Sequence, residues 1–206
     1  MQKKLVIFDF DGVLANTIER SFEIHQEKNP SLTWQKFRDF SNGNFLDGMG
    51  KAAKAGHHII PEDFFVHYDK HMDNNEMSQV LRNTVIELSK HYILAIISSS
   101  HDDSIKRFLK KENTAECFSD VFGLVVHNSK VVKIKMLLEK YKVNPEEAVF
   151  VTDTLGDIRE ASECGVSAIG VLWGLHERET LEKGNPIRIL ETPDLLLNTI
   201  KEMLGN

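Results

Sequence analysis

Cysteine is scarce: only Cys117 and Cys164 occur in 206 residues, and they form no CxxC pair. A disulfide framework is therefore excluded, a reducing cytoplasm is the simplest compartment, and each thiol reads as an ordinary small side chain. Blocks of Lys and Arg are absent from a chain with net charge −6 and pI about 5.8. Nucleic acid is thereby excluded as the main ligand, because its phosphates call for clustered cations. A small anion would need a local cation or a metal. Long apolar runs are absent too. The opening MQKKLVIFDFDG has Leu5, Val6, Ile7 and Phe8 before the first Asp, too few for a signal peptide or a membrane span. Neither export nor a membrane partner is expected, and no internal repeat or low-complexity tract is visible. Hydrophobic residues at 41% and charged ones at 27% are ordinary for a soluble globular chain that builds a core. The length suits one α/β domain with a small insert.

Five short runs rich in Val and Ile stand out: Leu5–Phe8, Ile93–Ile97, Val121–Val126, Ala148–Val151 and Ala168–Leu172. They lack the alternation of a half-exposed strand, so they read as strands buried on both faces of a parallel sheet. Helix-period segments at Asp103–Glu112, Val131–Tyr141 and Gly156–Glu163 supply the crossovers such a sheet needs. The expected fold is α/β, a doubly wound parallel sheet. More than eighty residues part the first two runs, too many for a single crossover helix or an unstructured loop. Helical patterns at Ile18–Lys28, Trp34–Phe40, Leu46–Ala55 and Glu62–Met72, punctuated by Pro30, Gly43, Gly56 and Pro61, predict an inserted helical cap over residues 17–77. Residues 1–16 and 78–206 form the core, re-entered through a helix at Gln79–His91.

The first strand ends in Asp9-Phe10-Asp11-Gly12, and the fourth is followed by Asp153 and Asp157. Ligands of open parallel sheets bind beyond the carboxyl ends of the strands, where these four carboxylates are expected to meet. Without a cation they would repel one another and raise one another's pKa. Mg²⁺ suits them, since it takes hard oxygen ligands, uses one or two carboxylates, and completes its shell with water and phosphate. Taken singly, each motif has a plainer use: an Asp after a strand often caps the next helix, and Asp-x-Asp-Gly makes turns.

Together, the segment Asp9-Phe10-Asp11-Gly12-Val13-Leu14 resembles the first motif of the haloacid dehalogenase superfamily, and Val151-Thr152-Asp153-Thr154-Leu155-Gly156-Asp157 resembles its fourth. Ser98 after strand two and Lys130 at a helix start after strand three fall where the second and third motifs require. The place of the insert matches the helical cap of the phosphoglycolate phosphatase-like branch. The resemblance implies a Rossmann-like core and Mg²⁺-dependent hydrolysis of a phosphate monoester on a small phosphorylated metabolite, phosphoglycolate-like or a sugar phosphate. Asp9 would be the nucleophile that forms an aspartyl-phosphate, and Asp11 the general acid and then base. Ser98, Lys130 and the amides of Ser99 and Ser100 would hold the phosphoryl oxygens. Asp9, the main-chain carbonyl of Asp11, Asp153 and Asp157 would serve the metal. A phosphomutase of the β-phosphoglucomutase kind, or a non-catalytic phosphate-binding protein, would use the same fold.

The third motif departs from the family pattern, because Val131 stands where a proline commonly follows the lysine. Lys130 is preferred over Lys133 for its place at the helix start, leaving Lys133 and Lys135 as a solvated face. His57, His58 and His101 show no metal-ligand spacing. Phe37, Phe40, Phe64, Phe65 and Tyr68 recur at helical spacing and read as cap core. Lys51 and Lys54 are cap cations that could meet a substrate carboxylate, and Trp173-Gly174 forms a turn beside the site.

Overall fold

Strand β1, Leu5–Phe8, is buried on both faces, and its register with strand β4, Ala148–Thr152, sets Phe8 beside Val151. The computed structural model describes residues 4–44, 68, 70, 72 and 74–205. Between β1 and the next strand lie helices α1, Ile18–Lys28, and α2, Trp34–Asp39, followed by a single 3₁₀ turn at Phe40–Asn42. Helix α3, Gln79–Ser89, leads into β2, Ile93–Ile97; α4, Asp102–Lys111, leads into β3, Asp120–Phe122; α5, Lys130–Tyr141, leads into β4. Helix α6, Leu155–Glu163, precedes β5, Ser167–Val171, and the short α7, Arg178–Leu181, precedes β6, Arg188–Leu190. Helix α8, Leu196–Leu204, closes the chain.

Among the described residues the six strands form one parallel sheet in the order β3-β2-β1-β4-β5-β6. Alternation along β1 sends Val6 and Phe8 to one face and Leu5 and Ile7 to the other. On the first face they meet Leu81, Val85 and Leu88 of α3, Ile105 and Phe108 of α4, and Ile200 of α8. On the second they meet Ile134 and Leu137 of α5 and Ile158 and Ala161 of α6. Helices therefore cover both faces, as the buried strands require. The chain winds outward from β1 to β2 and β3, then returns to β4 on the other side, so the order reverses between β1 and β4. In such sheets that reversal opens the crevice where ligands bind.

The expected strand Val121–Val126 is shorter than its apolar run: β3 pairs with β2 over three residues, is only half-buried, and gives way to a turn in which Val125 is 76% exposed. At the sheet's edge one neighbour is missing, so apolar residues there need not be buried. The opposite edge strand, β6, was not among the five expected; at three residues with Arg188 among them, it is too short and too polar for a periodic signal. Residues 18–44 carry their own small cluster, in which the rings of Phe22, Trp34, Phe37 and Phe40 pack against one another and Leu32 and Leu175 join Phe37. The expected helices at Leu46–Ala55 and Glu62–Met72, with Lys51, Lys54, His57, His58, Phe64 and Phe65, lie outside the described residues apart from Tyr68, Lys70 and Met72, which are helical.

Candidate active site

Beyond Phe8 the chain turns sharply. The amides of Leu14 and Ala15 donate to the Phe10 carbonyl at 3.0 and 3.1 Å, and Gly12 adopts φ +75°. That conformation favours glycine, and a Cβ there would lie 2.1 Å from Asp153 Oδ2. The turn thus needs Gly12 both for its backbone and for the close approach of Asp153. Gly174 packs against the same carboxylate from the loop after β5, where a Cβ would come within 2.3 Å of it, while the neighbouring Trp173 Nε1 donates to the Val13 carbonyl at 3.1 Å.

Asp9 is buried, with Oδ1 accepting from the Phe10 amide at 2.7 Å and Oδ2 lying 2.9 Å from Lys130 Nζ. Lys130 also reaches Asp157 Oδ2, at 2.6 Å, and the same oxygen accepts from Thr152 Oγ1 at 2.7 Å. Helix caps place these groups: Ser129 Oγ accepts from the Val132 amide and starts α5 at Lys130, while Thr154 Oγ1 accepts from the Asp157 amide and starts α6. Burial, together with the charges of Asp157 and Asp153, pushes the Asp9 carboxyl well above the usual range, against the pull of Lys130. Asp157 is also buried, yet Lys130 and its hydrogen bonds hold it below the usual value. Asp157 has the closer contact with the lysine and Asp9 the larger burden of negative neighbours. The two carboxylates hold Lys130 protonated despite its burial.

Asp153 is fully buried. Its Oδ2 accepts from the Leu175 amide at 2.7 Å, whereas Oδ1 is buried without a hydrogen-bond partner among the described residues. Burial raises its pKa to about 7. A carboxylate oxygen in this position lacks a positive partner, and the surrounding set of oxygen donors fits a hard divalent cation rather than a thiolate- or imidazole-loving metal. Among the described residues no group of three or more His, Cys, Asp or Glu side chains is gathered as a metal-holding cluster, so a cation here would rest on one or two carboxylates.

Asp11 accepts four hydrogen bonds. Thr17 Oγ1, at 2.7 Å, and Tyr68 OH donate to Oδ1; Ser100 Oγ, at 2.8 Å, and Ser98 Oγ, at 3.2 Å, donate to Oδ2. The Ser100 amide, expected to face phosphate, instead donates to Ser98 Oγ at 2.9 Å; Ser99 lines the cavity. Tyr68 is therefore not simply cap core, and its buried hydroxyl, next to Asp11, has a pKa well above the phenol value. Lys133 is not on a solvated face either. It is fully buried, with Nζ donating to the Ser98 carbonyl at 2.5 Å, and burial followed by the charge of Lys130 lowers its pKa to about 8. Lys135 is exposed, as expected. His101 is half-buried at the start of α4.

Sequence reasoning missed Thr17, Thr152, Glu160 and His176. Glu160 follows Asp157 by three residues on α6, a spacing that puts both on one helix face and could have singled it out. His176 Nδ1 accepts from the Leu155 amide at 3.0 Å, and Nε2 faces the Arg38 carbonyl at 3.0 Å, which fits a neutral ring that donates through Nε2. Burial depresses its pKa, in keeping with that state. All these groups border a cavity of about 110 Å³ or support its walls, at the carboxyl ends of β1 and β4.

The haloacid dehalogenase-like hydrolase family model matches residues 6–171, and the chain belongs to that family. Among its relatives is a phosphoglycolate phosphatase from Synechococcus elongatus, 28% identical over 209 residues that cover 97% of this chain and 98% of the relative. A pyrophosphatase, PpaX, from Listeria monocytogenes is 28% identical over 213 residues, 96% of each chain. A haloacid dehalogenase-like hydrolase from Streptococcus pneumoniae superposes with a TM-score of 0.77 at 20% identity, covering 96% of this chain and 98% of the other. Within the family, the chain falls with the phosphatases. Among the described residues no helix is long and apolar enough to cross a membrane.

Proposed function

We propose that the protein is a Mg²⁺-dependent phosphomonoesterase of small phosphorylated metabolites, phosphoglycolate-like or sugar phosphates, working in the cytoplasm without nucleic-acid or membrane partners. The observation that carries this reading is the meeting of Asp9, Asp11, Lys130 and Asp153 at the point where the strand order reverses. Asp9 attacks phosphorus, the ester P–O bond breaks, and Asp11 gives its proton to the departing alkoxide. Water then attacks the aspartyl-phosphate while Asp11 takes its proton, which releases inorganic phosphate and restores Asp9. Lys130, Ser98 and Ser99 bind the phosphoryl oxygens, where charge gathers in the transition state.

Asp9, the Asp11 carbonyl, Asp153 and Asp157 would hold Mg²⁺, which supplies Lewis-acid neutralisation of the phosphoryl charge when bound. The unpartnered Asp153 Oδ1 supports that assignment. Residues 17–77 act as a cap on the core formed by 1–16 and 78–206. Contacts across the two parts support this: Arg38 pairs with Glu177 at 2.5 Å, and Arg159 Nη1 donates to the Asn42 carbonyl at 2.7 Å. Closure of the cap would exclude bulk water from the reacting groups. The test is release of inorganic phosphate across a panel of small phosphate esters, with and without Mg²⁺. Metal-dependent turnover of some members supports the reading, and no turnover of any member overturns it.

A further inference from the structure

Helix α6 brings one more carboxylate to the cavity, and the phosphoryl chemistry does not use it. Glu160 Oε1 accepts from the Lys130 amide at 3.2 Å and from Asn44 Nδ2 at 3.3 Å. Oε2 is buried and has no hydrogen-bond partner among the described residues. The side chain is thus anchored through one oxygen while the other stays an unmet acceptor, and the residue lines the same cavity as Asn44, Ser21, Ser41 and Phe37 from the segment after β1. A buried acceptor in such a place calls for a donor. Lys130 cannot serve, because its ammonium is already shared between Asp9 and Asp157.

We propose, resting on the phosphatase reading above, that Glu160 is a specificity residue. Its cavity-lining carboxylate receives a hydrogen bond from the leaving group, so the preferred substrate is a phosphate ester carrying a hydroxyl or ammonium group on that side. A carboxylate or second phosphate there would face the negative charge of Glu160, whose partial burial weakens solvent screening. The preference therefore narrows the substrates proposed above to the sugar-phosphate kind and sets phosphoglycolate aside, which separates this chain from relatives whose names imply anionic leaving groups. Sites that hydrogen-bond a substrate group discriminate strongly, because the wrong substrate leaves a buried polar group unpaired.

Three two-carbon esters isolate the effect: 2-hydroxyethyl phosphate, O-phosphoethanolamine and 2-phosphoglycolate, with p-nitrophenyl phosphate as a check on the chemistry. With Mg²⁺ present, the wild-type enzyme should show kcat/KM at least about tenfold higher on the hydroxyl and ammonium esters than on the carboxylate ester, and Glu160→Gln should reduce that ratio about tenfold. The wild-type preference alone decides the matter should the variant fold poorly. A wild-type preference for 2-phosphoglycolate overturns the inference, as does a ratio unchanged in the variant or a variant altered only in its Mg²⁺ requirement. If p-nitrophenyl phosphate is hydrolysed while the three esters are treated alike, the inference fails and the phosphatase reading stands. An enzyme inert on all four overturns both.

Discussion

Tyr68 donates its hydroxyl hydrogen to Asp11 Oδ1, joining the segment between β1 and β2 to the aspartate that handles protons in the proposed mechanism. Ser100 Oγ touches both, donating to Asp11 Oδ2 at 2.8 Å and lying 3.2 Å from the Tyr68 oxygen. The proposed cap is thereby coupled to the orientation of the proposed acid. Tyr68→Phe should leave the fold intact and lower kcat about tenfold on esters with poor alkoxide leaving groups, since a hydrogen bond to a charged group is worth about 1.5–3 kcal/mol. The loss should be smaller on p-nitrophenyl phosphate, whose leaving group needs little protonation. Equal losses on both substrates would remove Tyr68 from any role in orienting Asp11.

The unpartnered Asp153 oxygen makes a prediction about stability. The pKa of Asp153 is raised from 3.8 to about 7 in the folded protein. Between those values the folded state holds the extra proton, so without metal this group's contribution to stability falls as pH rises from about 4 to 7. A bound cation replaces the proton. The gain in Tm on adding Mg²⁺ should therefore be larger at pH 7.5 than at pH 5.5, and Asp153→Asn should lose most of it. Thermal melts at the two pH values check this, and a gain independent of pH would contradict it.

Lys133 carries a pH dependence of opposite origin. Its folded pKa of about 8 lies below the ordinary 10.5, so between those values the unfolded chain holds the extra proton and this group's contribution to stability rises with pH. Activity should run the other way. Under the proposed mechanism, loss of the Lys133 charge above pH 8 would weaken the field around the phosphoryl group and the hold on the Ser98 carbonyl. The kcat/KM profile should have an alkaline limb near pH 8 that disappears in Lys133→Met. Persistence of the same limb in that variant would assign it elsewhere.

These residues also show where sequence pattern carried information and where it did not. Leu5–Phe8 and Ala148–Thr152 are central strands, buried on both faces, so their apolar runs and the aspartates that follow them were legible. Val121–Val126 misled because an edge strand needs to bury less of its apolar run. Lys130 and Lys133 lie one helical turn apart and face the same way, so the reasoning that placed Lys130 inside should have carried Lys133 with it. The contact of Tyr68 with Asp11 spans 57 residues of sequence and depends on how the segment after β1 folds back, which no local spacing encodes.

The central claim is that Asp9 becomes phosphorylated. Burial beside Lys130 and between the Phe10 amide and Asp157 fixes its carboxylate, and no neighbouring group could replace a covalent nucleophile there. Asp9→Asn should accordingly fold and lose turnover by at least about three orders of magnitude. The most direct measurement is an acid quench during turnover, borohydride reduction of the acyl phosphate to an alcohol, and mass spectrometry of the tryptic peptide of residues 5–20. Homoserine is expected at position 9 in the wild-type enzyme and not in Asp9→Asn; an unmodified Asp9 under conditions of steady turnover, or reduction at another residue, would rule out Asp9 as the nucleophile.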